Sequence, residues 1–345
     1  MREDKNLSDQ KQHQSSEFEL IASHFAGLTG QRGVALGIGD DAALINPSNN
    51  QQLVVASDTL VEGVHFPDDA TAKQIATRAL CVNLSDMAAM AAQPRWFTLA
   101  LTLPEEKANS DWLAEFSAGI DEIAEQFDIA LVGGDTTSGP LTVSITLLGE
   151  VPAAESLQRS GAKAGDAVFV TGELGDGAAG LKSLSSKIDN TFDSDRLLQR
   201  FYAPQPQIKT AIRLRGIASA CIDISDGLVA DLGHICQASA VAATIYTEQL
   251  PIASDVRALA PNNCIDWALF GGDDYQLCFT VSAHKLVAIE QLIDSGELHA
   301  SKIGTVEIAT EATKSSGNLV TVLDSNNSPI EINKQGYDHF GQSSS

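Results

Sequence analysis

The stretch Leu-Gly-Ile-Gly-Asp-Asp-Ala-Ala-Leu, residues 36 to 44, places two adjacent carboxylates on a tight turn between a pair of glycines and an apolar run. Neighbouring like charges are costly unless a cation neutralises them, and the chain has no Lys or Arg between Val34 and Lys73. Oxygen ligands without His or Cys favour Mg²⁺ over Zn²⁺. Because an isolated Asp-Asp pair is usually a solvated turn, the interpretation depends on whether the pattern recurs.

Four further acidic segments recur, each next to an apolar run that predicts a strand or a helix. They are Ser57-Asp58-Thr59 after Leu53 to Ala56, Asn83 to Asp86 at the end of a helical pattern, Gly133 to Thr137 after Ile129 to Val132, and Asp223 to Gly227 after Ala220 to Ile222. In α/β sheets, binding groups lie where apolar strands end. The sequence therefore predicts one acidic site that can hold two or more Mg²⁺ ions, with hydroxyl groups beside the carboxylates.

Composition places limits on the partners and the location. The chain has 345 residues, 43% of them hydrophobic, which is enough for two domains, and its formal charge of −23 argues against binding nucleic acid or an anionic membrane through a basic surface. Five cysteines without a CxxC motif indicate reduced thiols. No apolar signal segment or membrane span is recognisable, so we expect a cytoplasmic protein.

Hydrophobic periodicity predicts a two-domain α/β (α+β) fold. The pattern restarts near Pro152, which gives an N-terminal domain over 17–151, a C-terminal domain over 152–340, and flexible tails at 1–16 and 341–345. The spacing predicts helices over 71–83 and 112–127, edge-prone strands over 97–103 and 142–148, and a surface loop over 311–318.

The known phosphate-binding loops do not fit this chain. It has no GxxxxGK[ST] segment, and Gly37-x-Gly39 leads into two acids rather than into a pyrophosphate-binding helix start. Phosphates would therefore be held through Mg²⁺, which absorbs the charge that lysines absorb elsewhere.

Seven motifs follow one another along the chain: Gly37-Ile38-Gly39-Asp40-Asp41, Asp58-Thr59-Leu60-Val61-x-Gly63-x-His65-Phe66, Val82-Asn83-Leu84-Ser85-Asp86, Gly133-Gly134-Asp135-Thr136-Thr137, Arg159-Ser160-Gly161-Ala162, Asp223-Ile224-Ser225-Asp226-Gly227-Leu228 and Gly336-Tyr337-Asp338-His339-Phe340. In their number and order they closely resemble the thiamine-monophosphate kinase family, from about Glu17 to Phe340. The superfamily also includes aminoimidazole ribonucleotide synthetase and selenophosphate synthetase. The resemblance implies a homodimer formed through the strands of the N-terminal domain, with a C-terminal domain that completes the ATP site.

The resemblance also implies an activity: transfer of the ATP γ-phosphoryl group to thiamine monophosphate, the last step of thiamine diphosphate synthesis, with Mg²⁺. By motif match the residues fall into three groups. The Mg²⁺ ligands would be Asp41, Asp58, Asp86, Asp135, Asp223 and Asp226, with Ser57 as a weaker candidate; the nucleotide contacts would be Gly134, Asp135, Arg159 and Ser225; and the thiamine contacts would be His65, Asp273 and Tyr337.

One position departs from the family pattern. The family has Gly-Gly-Glu-Asp-Tyr-Glu-Leu where this chain has Gly271-Gly272-Asp273-Asp274-Tyr275-Gln276-Leu277, so the substrate-contacting Glu is Asp273 here, one methylene shorter. No general base is expected, because a phosphate monoester with a second pKa near 6 is already largely a dianion at pH 7. Phosphoryl transfer instead requires that the two substrates are held in position and that the negative charge of their phosphates is compensated.

Two other enzyme classes and one non-enzymatic class remain as alternatives. Selenophosphate synthetases carry a reactive Cys or selenocysteine near the N-terminus, whereas the first cysteine here is Cys81. Aminoimidazole ribonucleotide synthetase shares the fold and ATP but not this set of motifs. A non-catalytic nucleotide or cation binder would show no turnover with thiamine monophosphate.

Overall fold

The computed structural model describes residues 24–25, 33–185, 194–332 and 336. Its N-terminal half contains a two-stranded hairpin, a four-stranded sheet and two long helices. In chain order the elements are β1 Val34–Leu36, β2 Leu44–Ile45, β3 Gln51–Val61, α1 Ala72–Ala89, β4 Gln93–Leu103, α2 Ser110–Phe127, β5 Ala130–Ser138 and β6 Thr142–Pro152. The large sheet has the order β3-β6-β4-β5, in which only β4 and β5 run parallel.

The C-terminal half has a six-stranded sheet with helices around it. Its elements are β7 Ala167–Thr171, α3 Asp176–Ser185, α4 Ser194–Tyr202, α5 Ile208–Leu214, β8 Ala218–Asp223, α6 Leu228–Ser239, β9 Val241–Tyr246, α7 Ser254–Leu259, α8 Cys264–Phe270, β10 Leu277–Val281, α9 Leu286–Asp294, β11 Ala300–Ile308, α10 Glu311–Ser316 and β12 Val320–Leu323. The strand order is β12-β9-β11-β7-β10-β8, and only β12 and β9 are parallel.

Helix α1 lies between the two halves. It begins with a capping box, in which Thr71 Oγ1 accepts from the Gln74 amide at 3.2 Å and Gln74 Oε1 accepts from the Thr71 amide at 2.9 Å. The helix carries small and apolar side chains on nearly all of its faces, and most of them are buried. It packs against β3 and β6 of the first sheet and against β8 and α5 of the second half. One hydrophobic core therefore extends through both halves.

Both predicted strands are present, but their predicted edge position was wrong, and so was one predicted loop. The strands predicted over 97–103 and 142–148 are β4 and β6, which are the central strands of their sheet, so the edges are β3 and β5. The segment predicted as a loop over 311–318 contains α10, whose first turn is capped by Thr310.

Three of the acidic segments lie inside their elements rather than at the ends. Asp58 is in the middle of β3, Asp86 is in the last turns of α1, and Asp135 is within β5. The strands continue because Ser and Thr pair across them: Thr59 Oγ1 lies 2.8 Å from Ser144 Oγ. Both sheets are mostly antiparallel, so the expectation for the ends of parallel strands does not apply.

No helix in the described ranges is long and apolar enough to cross a membrane. All five cysteines lie within those ranges; each is buried, and none forms a disulfide.

The contact between α1 and α2 depends on Gly119. A Cβ at this position would lie 2.9 Å from Ala76 Cβ and 2.9 Å from the Lys73 carbonyl oxygen. We expect Gly119→Ala to lower the free energy of unfolding by about 1–3 kcal/mol, because the helices must separate. Gly233 in α6 is the matched control, since no atom lies within 4 Å of its added Cβ. Gly233→Ala should stabilise by about 0.5–1 kcal/mol, and urea unfolding of both variants measures the difference.

Candidate active site

A cavity of about 700 Å³ lies between the two halves of the chain. It is bounded by β3, the turn that follows β3, α1, the α3–α4 pair and the two loops that leave β8 and α8. The chemically relevant residues on its walls are Asp58, His65, Arg78, Asp86, Phe201, Asp223, Ser225, Asp226, Asp273 and Tyr275. The packing of the two halves therefore brings together carboxylates that are far apart in the sequence.

The acids at one end of this cavity are held by α1. Ser85 Oγ donates to Asp223 Oδ2 at 2.7 Å, which ties the helix to the end of β8. Asn83 Oδ1 accepts from the Asp58 amide at 3.0 Å, which ties the same helix to β3. Asp58, Asp86 and Asp223 are thereby placed around one region, and we call them, with Asp226, the acid cluster.

Burial and mutual repulsion destabilise the charged forms in this cluster. Burial, and then the charges of Asp223 and Asp58, raise the pKa of Asp86 to about 8. Burial also raises the pKa of Asp58, with Asp223 as the second cause, and burial is the main cause of the raised pKa of Asp223. The Arg159 guanidinium acts in the opposite direction on Asp86 and Asp223. A cation bound here would therefore stabilise the charged forms of these carboxylates.

The loop after β8 is fixed by an aspartate that the sequence interpretation missed. Asp231 Oδ2 accepts from the backbone amides of Ser225, Asp226 and Gly227 at 3.1, 3.1 and 3.2 Å. Asp231 is on the first turn of α6 and is buried. An acid one helical turn after an acidic loop is the local signal for such a cap.

Arg159 is carried by the loop that precedes β7. Ser239 Oγ donates to the Arg159 carbonyl oxygen at 3.2 Å and accepts from the amide of Gly161 at 3.1 Å. A Cβ at Gly161 would lie 2.2 Å from the Ser219 carbonyl oxygen, so the loop approaches β8 too closely for any larger residue. The guanidinium is exposed, and its charge acts on the acid cluster.

Two of the predicted acids lie elsewhere. Asp41 and Asp135 line a separate cavity of about 500 Å³, between the Gly37–Ala43 segment and β5. The sheet register aligns Asp58, Ile145, Leu99 and Gly134 across four strands. Three inter-strand steps amount to roughly 14 Å. Within one chain, the predicted ligands therefore form two groups at opposite edges of the sheet.

Gly134 and Ser57 also have defined positions. A Cβ at Gly134 would lie 1.9 Å from the Leu99 carbonyl oxygen, so only glycine allows the approach of β5 to β4. The Ser57 hydroxyl lies 3.0 Å from Thr146 Oγ1 and 3.1 Å from the Ile145 carbonyl oxygen. Because successive strand residues point to opposite faces, the Ser57 side chain is on the face opposite to that of Asp58.

The other end of the large cavity carries two of the three predicted thiamine contacts. His65 Nδ1 accepts from the Val61 amide at 2.9 Å, so the neutral ring has its proton on Nε2. Asp273 is bonded to Arg78 and Tyr275. Tyr337 lies outside the described residues; Gly336, which precedes it, packs beside Asp226, where an added Cβ would be 2.9 Å from the Asp226 carbonyl oxygen.

The donor set of the acid cluster fits Mg²⁺ in type, because it consists of carboxylate oxygens without His or Cys. In the described part of the chain, no group of three or more His, Cys, Asp or Glu side chains could hold a metal ion by itself. Further ligands would come from water and from substrate phosphates, which is how Mg²⁺ is usually held.

Comparison with known proteins defines the class first. The model of the AIR synthase related protein N-terminal domain matches residues 39–151, and that of the C-terminal domain matches residues 163–313. The fold is therefore that of a two-domain AIR synthase related protein.

Individual relatives identify the family within this class. Thiamine-monophosphate kinase from Escherichia coli is 42% identical over 94% of this chain and 98% of its own length. The crystal structure of the kinase from Stenotrophomonas maltophilia is 43% identical, with a TM-score of 0.77 over 85% of this chain and 92% of that one. The structure of AaThiL complexed with AMPPCP and TMP is 32% identical, with a TM-score of 0.73 over 94% and 97%. The chain belongs to the thiamine-monophosphate kinase family.

The raised pKa of Asp86 gives a pH-dependent prediction. Because its folded pKa, about 8, is above the unfolded value near 3.9, the folded protein binds the proton more tightly. The contribution of this proton to the free energy of unfolding is complete below about pH 4 and is lost as the pH rises toward 8. Asp86→Asn removes this titration, so at pH 8 the metal-free variant should exceed the wild type in free energy of unfolding by at least about 1 kcal/mol, and by less at pH 5.

Urea unfolding in EDTA at both pH values measures this difference. The exposed acid Glu105 supplies the control, because Glu105→Gln should show no such pH-dependent gain. A constant difference between Asp86→Asn and the wild type across this range would contradict the prediction.

Proposed function

We propose that this chain transfers the γ-phosphoryl group of ATP to the phosphate of thiamine monophosphate, giving thiamine diphosphate and ADP. The observation that carries the proposal is the cavity between the domains, which has an acid cluster at one end and His65 at the other, in a chain 42% identical to thiamine-monophosphate kinase over nearly its full length. The AaThiL complex supports two ligands, a nucleotide analogue and TMP, for this fold.

The chemistry requires charge compensation more than proton transfer. The acceptor phosphate is largely a dianion at pH 7, so an oxygen of this group can attack without a general base. The carboxyl groups of Asp58, Asp86, Asp223 and Asp226 lie at the place where the phosphates must meet, and a bound cation would favour their charged forms. These carboxylates would hold two or more Mg²⁺ ions, which would supply positive charge to compensate the phosphates. The walls of the cavity keep the two phosphates aligned.

The nucleotide would be held by residues from both halves. The charge of Arg159 acts to lower the pKa of Asp86 and of Asp223, and its guanidinium would contact a phosphate oxygen. Ser225 lies on the loop that Asp231 fixes. Gly134 and Asp135, together with Asp41, line the smaller cavity, and we assign them to the nucleotide and its metal.

The acceptor would lie at the His65 end. Val64, Leu181, Leu184 and Phe201 give this end apolar walls that suit an aromatic ring system. The proton on His65 Nε2 can be donated to a ring nitrogen or a phosphate oxygen of the acceptor. Tyr337 is kept as a third contact from the family motif.

The alternatives have less support. Burial raises the pKa of Cys81 to about 12, so its thiol is not poised for selenium chemistry. Turnover with thiamine monophosphate would exclude aminoimidazole ribonucleotide synthesis and passive nucleotide binding. Buried, unpaired cysteines support the cytoplasmic location that we propose for this activity.

An assay of product formation tests the function. With ATP, Mg²⁺ and thiamine monophosphate, we expect thiamine diphosphate and ADP in a 1:1 ratio, and no product when thiamine replaces its monophosphate. Asp41→Asn, Asp135→Asn and Asp223→Asn should each retain under a tenth of the turnover, a barrier increase above about 1.4 kcal/mol, while Glu105→Gln should match the wild type.

ADP release that does not depend on thiamine monophosphate would refute the proposal. Full activity of Asp41→Asn or Asp135→Asn would instead show that the smaller cavity has no part in the reaction.

We also propose a homodimer that forms through the open face of the β3-β6-β4-β5 sheet. Leu53 and Val55 are exposed on this face, Val55 to 62%. Within the described residues, β1 and β2 pack on the β4–β5 side of the face, beside Trp96 and Val132. Exposed apolar side chains on a sheet face are typical of an interface.

Light scattering after size exclusion should give twice the chain mass of 36.4 kDa for the wild type at micromolar concentration. Val55→Glu should give the single-chain mass, because a charge would be buried in the interface. Ile308, exposed to 79% on β11 of the other domain, provides the control: Ile308→Glu should remain a dimer. A monomeric wild type would rule out the proposal.

A further inference from the structure

Arg78 is the buried cation of the acceptor end. Its residue surface is 3% exposed, and it lies on α1 among small and apolar neighbours. Nε donates to the His65 carbonyl oxygen at 2.9 Å, and Nη1 donates to the Phe201 carbonyl oxygen at 2.6 Å. The guanidinium carbon lies 4.1 Å from the centre of the Phe201 ring, within cation–π range. One side chain thus connects two separate walls of the cavity.

The third partner of Arg78 is Asp273. Arg78 Nη2 donates to both carboxylate oxygens, at 2.8 and 2.9 Å, and the Tyr275 hydroxyl donates to Oδ1 at 2.9 Å. The Asp273 charge is therefore already compensated by a buried guanidinium. A carboxylate paired in this way gives a second cation, such as the thiazolium ring, little net attraction.

The loop that carries Asp273 has an unusual backbone. Asp273 and Tyr275 have φ values of 60° and 49°, in the left-handed region that non-glycine residues rarely adopt. Their amides donate to the carbonyl oxygens of Ser225 and Ile224, each at 2.9 Å. The Arg78–Asp273 pair thus also connects the acceptor end to the loop of the acid cluster.

We propose that Arg78 is a positioning residue for the acceptor, and that Asp273 acts through Arg78 rather than by direct charge contact with the cationic ring. The inference rests on the proposed function and deepens it. Arg78 holds the His65 turn, the end of α4 and the Asp273 loop at fixed separations, so loss of either member of the pair loosens the acceptor end and leaves the nucleotide contacts in place.

A neutral substrate analogue separates the two roles of Asp273. 3-Deazathiamine monophosphate keeps the shape of thiamine monophosphate but has an uncharged ring. If Asp273 acts through Arg78, Asp273→Asn should weaken binding of both compounds by the same factor, about tenfold, a value typical for a lost charge-assisted contact. A direct contact with the cation would weaken binding of thiamine monophosphate alone, and that result would overturn the inference. Calorimetric Kd values for both compounds provide the measurement.

A double-mutant cycle tests the coupling. Arg78→Lys and Asp273→Asn should each raise the KM for thiamine monophosphate about tenfold and leave the KM for ATP within about twofold. Together they should have little more effect than either alone, because both act by disrupting the same Arg78–Asp273 pair. An effect near 100-fold for the double variant, or equal increases in both KM values, would contradict the proposal. Asp273→Glu keeps the negative charge, so its KM for thiamine monophosphate should stay near that of the wild type.

Arg95 provides a matched control. Its Nε lies 3.1 Å from Glu150 Oε2, in another Arg–carboxylate pair that does not line the cavity. Arg95→Lys should lower the melting temperature without changing either KM. If Arg78→Lys fails to fold, the analogue comparison with Asp273→Asn decides the question alone.

The two proposals fail in different ways. A wild type that binds thiamine monophosphate without phosphorylating it would remove the proposed function, and the Kd ratios would still decide the role of Asp273. A wild type that binds neither compound would overturn both.

Discussion

Burial of the Asp58, Asp86 and Asp223 carboxylates, reinforced by their mutual repulsion, is the constraint on which the rest of the site depends. Packing of the two domains removes these groups from water and brings them together, and their pKa values rise as a result. The chain tolerates this because Ser85 and the backbone amides bound by Asp231 fix the surrounding loops. A site of this kind is stabilised by cations and by the phosphates that bring them.

Helix α1 transmits this constraint across the cavity. It carries Asp86 near its C-terminal end and Arg78 eight residues earlier, so the two side chains are separated by about 12 Å along one rigid axis. The negative end of the cavity and the acceptor end are therefore set by the same element. Since α1 is buried in the core shared by both halves, a change in its position would move both ends at once.

Local patterns in the sequence predicted much of the fold. The helix predicted over 112–127 is α2, and the apolar runs over 53–56, 97–103, 142–148 and 220–222 lie within β3, β4, β6 and β8. Strand lengths were underestimated, because hydroxyl pairs and a bulge before Gly133 extend strands through polar residues. Which strands lie at the edge was wrong, since edge position depends on pairing between distant segments.

The sequence by itself determined the chemistry of the site: the residue types, their motifs and their order identified the family, because such short patterns are local. Only the tertiary structure decided how those residues are divided. Sheet order places Asp135 at the edge opposite to Asp58, and domain packing pairs Arg78 with Asp273, 195 residues away. No local pattern marks that pair, since a lone Arg in an apolar helix shows its partner only when the chain has folded around it.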